Sequence, residues 1–288
     1  MGEESEAAAG NNLSKAPASE EAPEPPEEDL YAPEDPEQAV DRPSQPIDDE
    51  EMPLADHIEE MIKRLAVVIV VAGVVSVVVL PLADTVINFL WNSVLPVSSG
   101  PGPNTRPRLY HPLALVMTRL KVASLGGLIV ALPVLVYETY LFMRPGLYPH
   151  ERRYYLAAVP TSLVLALVGV SFAYFLILPA IFTYFLSYTQ KADVVIAFGL
   201  TKTFNLILMM MGVLAVVFQI PLLIMLAIMM GLTTRRWMAD RRLYFWGGFL
   251  GFAFLFSPDP TGMAPFLVAL TMVGLFEGTL FLLKWTGR

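Results

Sequence analysis

LAVVIVVAGVVSVVVLPLA, residues 65–83, runs nineteen positions without a charge. A hydrocarbon core about 30 Å thick is crossed by roughly 20 apolar helical residues, so this run reads as one membrane span. Outward from it the pattern repeats. Lys121 and Glu138 bracket a second apolar run that extends back to Leu113 and on to Met143. Tyr154–Gln190 carries no charge for 37 residues, too long for one helix. It reads as a span to about Leu178, then Pro179 and an amphipathic segment on the far membrane surface. Thr203–Thr234, 32 uncharged residues, yields a fourth span interrupted by Pro221. Leu243–Pro258 and Pro260–Phe276 supply only 16 and 17 residues, so spans five and six are expected to be short. Backbone groups in lipid must be paired internally, and the period-two alternation of a barrel is missing. The expectation is an all-α integral membrane protein with six transmembrane helices.

Composition agrees and divides the chain. Hydrophobic residues make up 55% and charged residues 16%, too few charges to cover a water-facing surface. Residues 1–51 hold 17 acids against Lys15 and Arg42, while the other 237 residues hold 10 acids and 17 bases. The first part, rich in Glu, Pro, Ala and Ser, cannot bury enough apolar surface to offset its ordering entropy. Two regions follow: 1–51, a disordered acidic tail serving as an interaction segment or a solvating leader, and 52–288, a six-helix transmembrane domain. The tail is not a secretory signal, being acidic with no apolar stretch after Met1. The chain has no cysteine, which excludes disulfides, a thiol nucleophile and zinc–thiolate sites. His57, His111 and His150 lack metal-ligand spacing.

Basic residues set the orientation. Lys63, Arg64, Arg144, the Arg152–Arg153 pair, the four arginines of 235–242, Lys284 and Arg288 fall on one side, eleven in all. Six fall on the other: Arg106, Arg108, Arg119, Lys121, Lys191 and Lys202. The bias places both termini in the cytoplasm. Ionisable groups at membrane depth usually mark function, and here they are few: Glu138 and Glu277 near the cytoplasmic ends of spans two and six, with Gln219 mid-span beside Pro221. No ladder of acids crosses the bilayer, and no selectivity filter, phosphate loop, nucleophile elbow or catalytic carboxylate pair is present. The chain does not read as an enzyme, and no cofactor, metal or nucleic acid is implied. Its cytoplasmic face mixes acids with bases, Asp56, Glu59 and Glu60 before span one and Glu151 within PHERR. A carboxylate there can accept the bidentate fork of an arginine.

HIEEMIKRL (57–65), FMRPGLYPHERR (142–153), VVFQIP (216–221), FSPDPTGM (256–263) and LFE (275–277), in this order and in a six-span topology, resemble the TatC family, the polytopic receptor subunit of the twin-arginine protein translocase. The likeness covers essentially all of 52–288. It implies a receptor in the cell membrane that binds the Arg-Arg signal peptide of folded export substrates. It also implies oligomers, TatA- or TatB-type single-span partners, and transport driven by the proton-motive force. Glu60 and Glu151 match the family's acids for the arginine pair, and Phe142 a loop position that either touches the signal peptide or packs at the membrane boundary. Pro145 and Tyr148 match positions that shape the cytoplasmic loop. Gln219 matches a buried acid or its amide, facing either an inner wall or another helix. Asp259 matches the acid of the turn between spans five and six, functional or simply turn-forming. Lys121 matches a basic position that snorkels. Where the family carries arginine two residues after the first acid, this chain has Ile62, which removes a potential local partner for Glu60, while Lys63 and Arg64 remain. The short last spans are expected to thin the bilayer. The competing reading is a six-span channel or secondary transporter for a small solute, using Glu138, Gln219 and Glu277 in one continuous cavity.

Overall fold

The structure is a computed structural model and describes residues 54–94, 108–144, 149–191, 198–257, 259 and 261–285. The acidic tail, Pro145 and Tyr148 lie outside the described residues. Among them the chain is helical throughout. Helix α1 (Leu54–Val79) passes through a 3-10 turn at Leu80–Leu82 into α2 (Ala83–Val94). Then come α3 (Ala114–Met143), α4 (Pro149–Phe172), a π turn at Ala173–Ile177 and α5 (Leu178–Lys191). The chain continues with α6 (Leu200–Val217), α7 (Ile220–Met229), α8 (Arg235–Asp240), α9 (Arg242–Phe256) and α10 (Met263–Trp285).

Among the described residues five helical stretches are long and apolar enough to cross a membrane: 58–94, 114–143, 152–188, 200–229 and 263–285. Helix α9, 15 residues, makes the sixth apolar pass. At 1.5 Å per residue it reaches only about 22 Å. Span six departs from its expected length: α10 runs 23 residues, about 35 Å, because the helix continues through Glu277 and Lys284. Span three also continues past Pro179. The Leu178 N–H bonds to the Ala173 carbonyl, five residues back, so the ladder slips by one just before the proline ring that would clash with a regular turn. Pro221 does interrupt span four. It sits in the first turn of α7, where a missing N–H leaves no bond unmade.

Helix α6 is the hub. Ten of its residues are buried, and Phe204, Ile207, Met210 and Leu214 are wholly enclosed. They meet the inner face of α2 (Ile87, Leu90, Trp91), Ile177 and Leu178 at the α4–α5 junction, and Val268 and Met272 of α10. This large cluster occupies the end of the bundle where α3 and α6 begin. The backbone of Arg108 is pinned there too, its N–H donating to the Phe198 carbonyl at 3.1 Å and its carbonyl accepting from Leu200 at 3.0 Å. Asp84 and Arg119 add a two-pronged ion pair at 2.6 and 2.7 Å. The opposite end carries two smaller clusters. One joins Val136 and Tyr140 of α3 to Tyr155 of α4 and Leu222 and Leu226 of α7. The other joins Ile224, Met238, Phe276 and Leu280.

Helix α1 lies at the margin, exposing Val70, Val74, Val77 and Val78 and packing chiefly on α3. The two run antiparallel and touch through glycine. A Cβ at Gly127 would stand 2.5 Å from the Ala72 carbonyl oxygen, so only hydrogen fits. Helices α4 and α6 meet the same way at Gly169, where a Cβ would stand 2.5 Å from the Leu214 carbonyl oxygen.

Candidate functional site

The end of the bundle that holds the start of α1 also holds the end of α3 and the start of α4. On α1, Glu60 and Arg64 are one turn apart, acid first, the favourable order for a helical ion pair. Arg64 Nη2 and Nε both reach the same Glu60 oxygen, Oε1, at 2.5 and 3.1 Å. Arg64 Nη1 lies 3.4 Å from Oε2 of Glu138, which α3 brings in from 74 residues away. The three side chains grade inward, 38% exposed at Glu60, 24% at Arg64 and 13% at Glu138. Glu60 Oε2 and Glu138 Oε1 have no hydrogen-bond partner among the described residues. Glu59 pairs with Lys63 at 2.7 Å on the solvent side.

Ile62 therefore does not leave Glu60 without a local partner; Arg64 takes that place one turn along the helix. The signal was present in the sequence as an acid–base pair at a spacing of four, but the link to Glu138 was not. Phe142 sits one turn beyond Glu138 on the same face of α3. The two line a cavity of about 330 Å³ with Met61, Arg64, Leu65, Val68, Leu135 and Thr139. Glu151 lies in the first turn of α4, at the same end of the bundle; its side chain is outside the described residues. Tyr154 is exposed, as an interfacial aromatic would be, but Tyr155 is 3% exposed and packs its ring 5.9 Å from that of Tyr140. Its hydroxyl meets the sulfurs of Met143 and Met230, so it ties the ends of α3, α4 and α7 together.

The remaining polar positions are spent within the protein. Gln219 is 5% exposed; Ser162 donates to its Oε1 at 2.8 Å, and its Nε2 donates to the Ser162 and Ala215 carbonyls. Of the two arrangements open to it, the contact with another helix is the one seen. Asp259 is a turn former. Its carboxylate accepts from the backbone N–H groups of Thr261 and Ala264, both at 2.9 Å, and from the Thr261 hydroxyl. The turn needs Gly262 at φ +82°. Lys121 donates to Asn205 at 2.8 Å rather than simply snorkelling. Glu277 accepts from Trp246 Nε1 at 3.2 Å and faces Arg242 at 3.8 Å. Glu138, Gln219 and Glu277 thus engage α1, α4 and α9 respectively. They do not share one pathway, as a solute transporter would need.

The chain and its bundle of helices match known proteins. The family model described as Sec-independent protein translocase protein (TatC) matches residues 56–270. A Haloferax volcanii protein named Sec-independent protein translocase protein TatCo is 62% identical over 81% of this chain, which spans 57% of that relative's length. A Methanocella arvoryzae protein named Sec-independent protein translocase protein TatC is 33% identical over 80% of this chain and 93% of its own. A crystal structure titled as the twin arginine translocase receptor TatC superposes with a TM-score of 0.69, covering 81% of this chain and all of that one. At 24% identity, it speaks for the fold. The family model, the relatives and the order of the helices converge: the chain belongs to the TatC family of Sec-independent protein translocase proteins, multi-pass proteins of the cytoplasmic membrane.

Proposed function

We propose that the chain is the receptor and core subunit of a twin-arginine translocase. It binds the Arg-Arg signal peptide of folded export substrates on the cytoplasmic side, through Glu60 and Glu151 with Phe142 alongside. It forms oligomers and recruits TatA- or TatB-type single-span partners for transport driven by the proton-motive force. The observation that carries this reading is Glu60 itself: a half-buried carboxylate at the bundle's edge, already engaging a guanidinium through one oxygen while the other stays open. An exposed ion pair is worth about 1 kcal/mol or less for either cation. Arginine's planar fork matches a carboxylate in a way an ammonium does not, so it is this geometry that favours Arg over Lys. Pro145 and Tyr148, outside the described residues, are assigned to the receptor's cytoplasmic loop on the strength of the sequence resemblance alone. Gln219 and Asp259 serve this function by holding the scaffold.

Crosslinking or binding of a peptide carrying Arg-Arg, against the same peptide carrying Lys-Lys, tests the assignment. Wild type should prefer Arg-Arg by about tenfold or more, and Glu60→Ala or Glu151→Ala should each erase most of that preference. If both variants bind the two peptides as wild type does, the carboxylates are not the receptor patch. Bilayer thinning, if it assists passage, falls to α9 alone, since α10 is long enough to span. Inserting four leucines into α9 is expected to lower export several-fold while leaving peptide binding unchanged. Unchanged export in a vesicle transport assay removes thinning from the mechanism.

A further inference from the structure

We infer that Arg64 is a resident guanidinium occupying the receptor carboxylate before the signal peptide arrives, and that Glu138 is the acid to which it transfers when an incoming arginine takes Glu60. The inference rests on the receptor reading above and adds two residues to it. Neither needs to touch the peptide for the exchange to work; both are positioning residues.

Three observations carry it. First, Arg64 is already shared. Two of its nitrogens converge on a single Glu60 oxygen, while the third lies 3.4 Å from Glu138 Oε2, so a small rotation exchanges one acid for the other. Second, the charge does not balance. Two carboxylates and one guanidinium leave the trio at −1, with Glu60 Oε2 and Glu138 Oε1 unpartnered among the described residues. One added guanidinium brings the trio to neutrality as two ion pairs, Glu60 with the ligand and Glu138 with Arg64. The cluster has room for one cation, and the receptor reading gives the second arginine of the pair to Glu151 at the start of α4. Third, Arg64 and Glu138 form part of the wall of the 330 Å³ cavity, which gives the side chain space to turn without disturbing helix packing.

Energetics favour exchange over simple addition. Glu138 is the most enclosed of the three, and its link to Arg64 is long, 3.4 Å, so it gains most from a closer guanidinium. Moving Arg64 wholly onto it shortens that link at the moment Glu60 changes hands. The trade is guanidinium for guanidinium at Glu60, so an arginine restores every hydrogen bond lost, whereas a lysine cannot.

The test uses the full chain in lipid vesicles and a synthetic signal peptide bearing Arg-Arg or Lys-Lys. Glu138→Gln removes the second resting place and should weaken Arg-Arg binding about tenfold, because Arg64 then stays clamped on Glu60. Adding Arg64→Gln to that variant removes the competitor and should restore binding to wild-type strength or better. Arg64→Gln alone should bind Arg-Arg more tightly than wild type and discriminate less against Lys-Lys. A purely structural Glu138 would not be rescued by deleting its partner. Wild-type binding by Glu138→Gln, or no recovery in the double variant, overturns the exchange. Unaltered binding by Glu60→Ala in the same assay would instead sink the receptor reading, so the two failures are told apart. Thermal unfolding of each variant in detergent, expected to match wild type, separates lost affinity from lost fold.

Discussion

Gly127→Val detaches the first helix. The new Cβ would stand 2.5 Å from the Ala72 carbonyl oxygen and overlap the Ser76 hydroxyl, which is itself bonded back to Ala72. The Ser76 hydroxyl can turn aside, but the Ala72 carbonyl is backbone, so relief comes only by moving α1 as a body. Overpacking of an ordinary core costs about 1–3 kcal/mol. Here the clash is with backbone and α3 is the main support of α1, so a loss at or above the top of that range, about 3 kcal/mol, is expected. The Arg64–Glu138 bridge, already 3.4 Å long, should be lost with it. Protease sensitivity of α1 in membranes and signal-peptide binding both report the outcome. Gly73→Ala on the same helix is the control: its Cβ meets nothing within 4 Å, and alanine is about 1 kcal/mol the better helix former. Equal behaviour of the two variants would show that α1 is not held by close approach at Gly127.

Asp259→Ala is the second large loss. Its carboxylate gathers two backbone N–H groups and one hydroxyl while only 7% exposed. Losing a helix-start cap costs about 1 kcal/mol, and stranding further buried donors about 1–3 kcal/mol more, for a total near 3 kcal/mol. Asp259→Asn keeps one carbonyl oxygen for the same donors and should lose about half as much. Chemical or thermal unfolding in detergent measures both. If alanine and asparagine were equally harmless, the turn would be held by its prolines and Gly262 rather than by the carboxylate.

Much of the architecture was legible. The 65–83 run, the break at Pro221 and a short fifth span all follow from where charge and proline fall. Span two reads through Glu138 to Met143 and α3 ends there, with Arg64 reaching Glu138. Counting uncharged runs fails at span six, where Glu277 lies inside α10 with Trp246 and Arg242 as partners. Those partners come from other helices, so periodicity carries no trace of them. The same holds for Ser162 meeting Gln219. Pro179 misleads for a local reason: a one-residue slip of the ladder absorbs it, and no composition signal marks a π turn. At the candidate site, Glu138 and Phe142 share a face by simple helical spacing. The role of Arg64 emerges only when α1 and α3 are laid side by side.

The uneven distribution of the core has a consequence for motion. The broad cluster around Phe204 and Leu214 anchors the far end of the bundle, whereas the end carrying Glu60 rests on a few tyrosines, small apolar groups and one shared guanidinium. Local opening is cheapest where few apolar contacts must part. Amide exchange should therefore run as a gradient along the helix axes, slowest beside α2 and fastest at the receptor mouth. On the proposed receptor reading, a leader sequence would enter at that loose rim while the distant half stays a fixed frame.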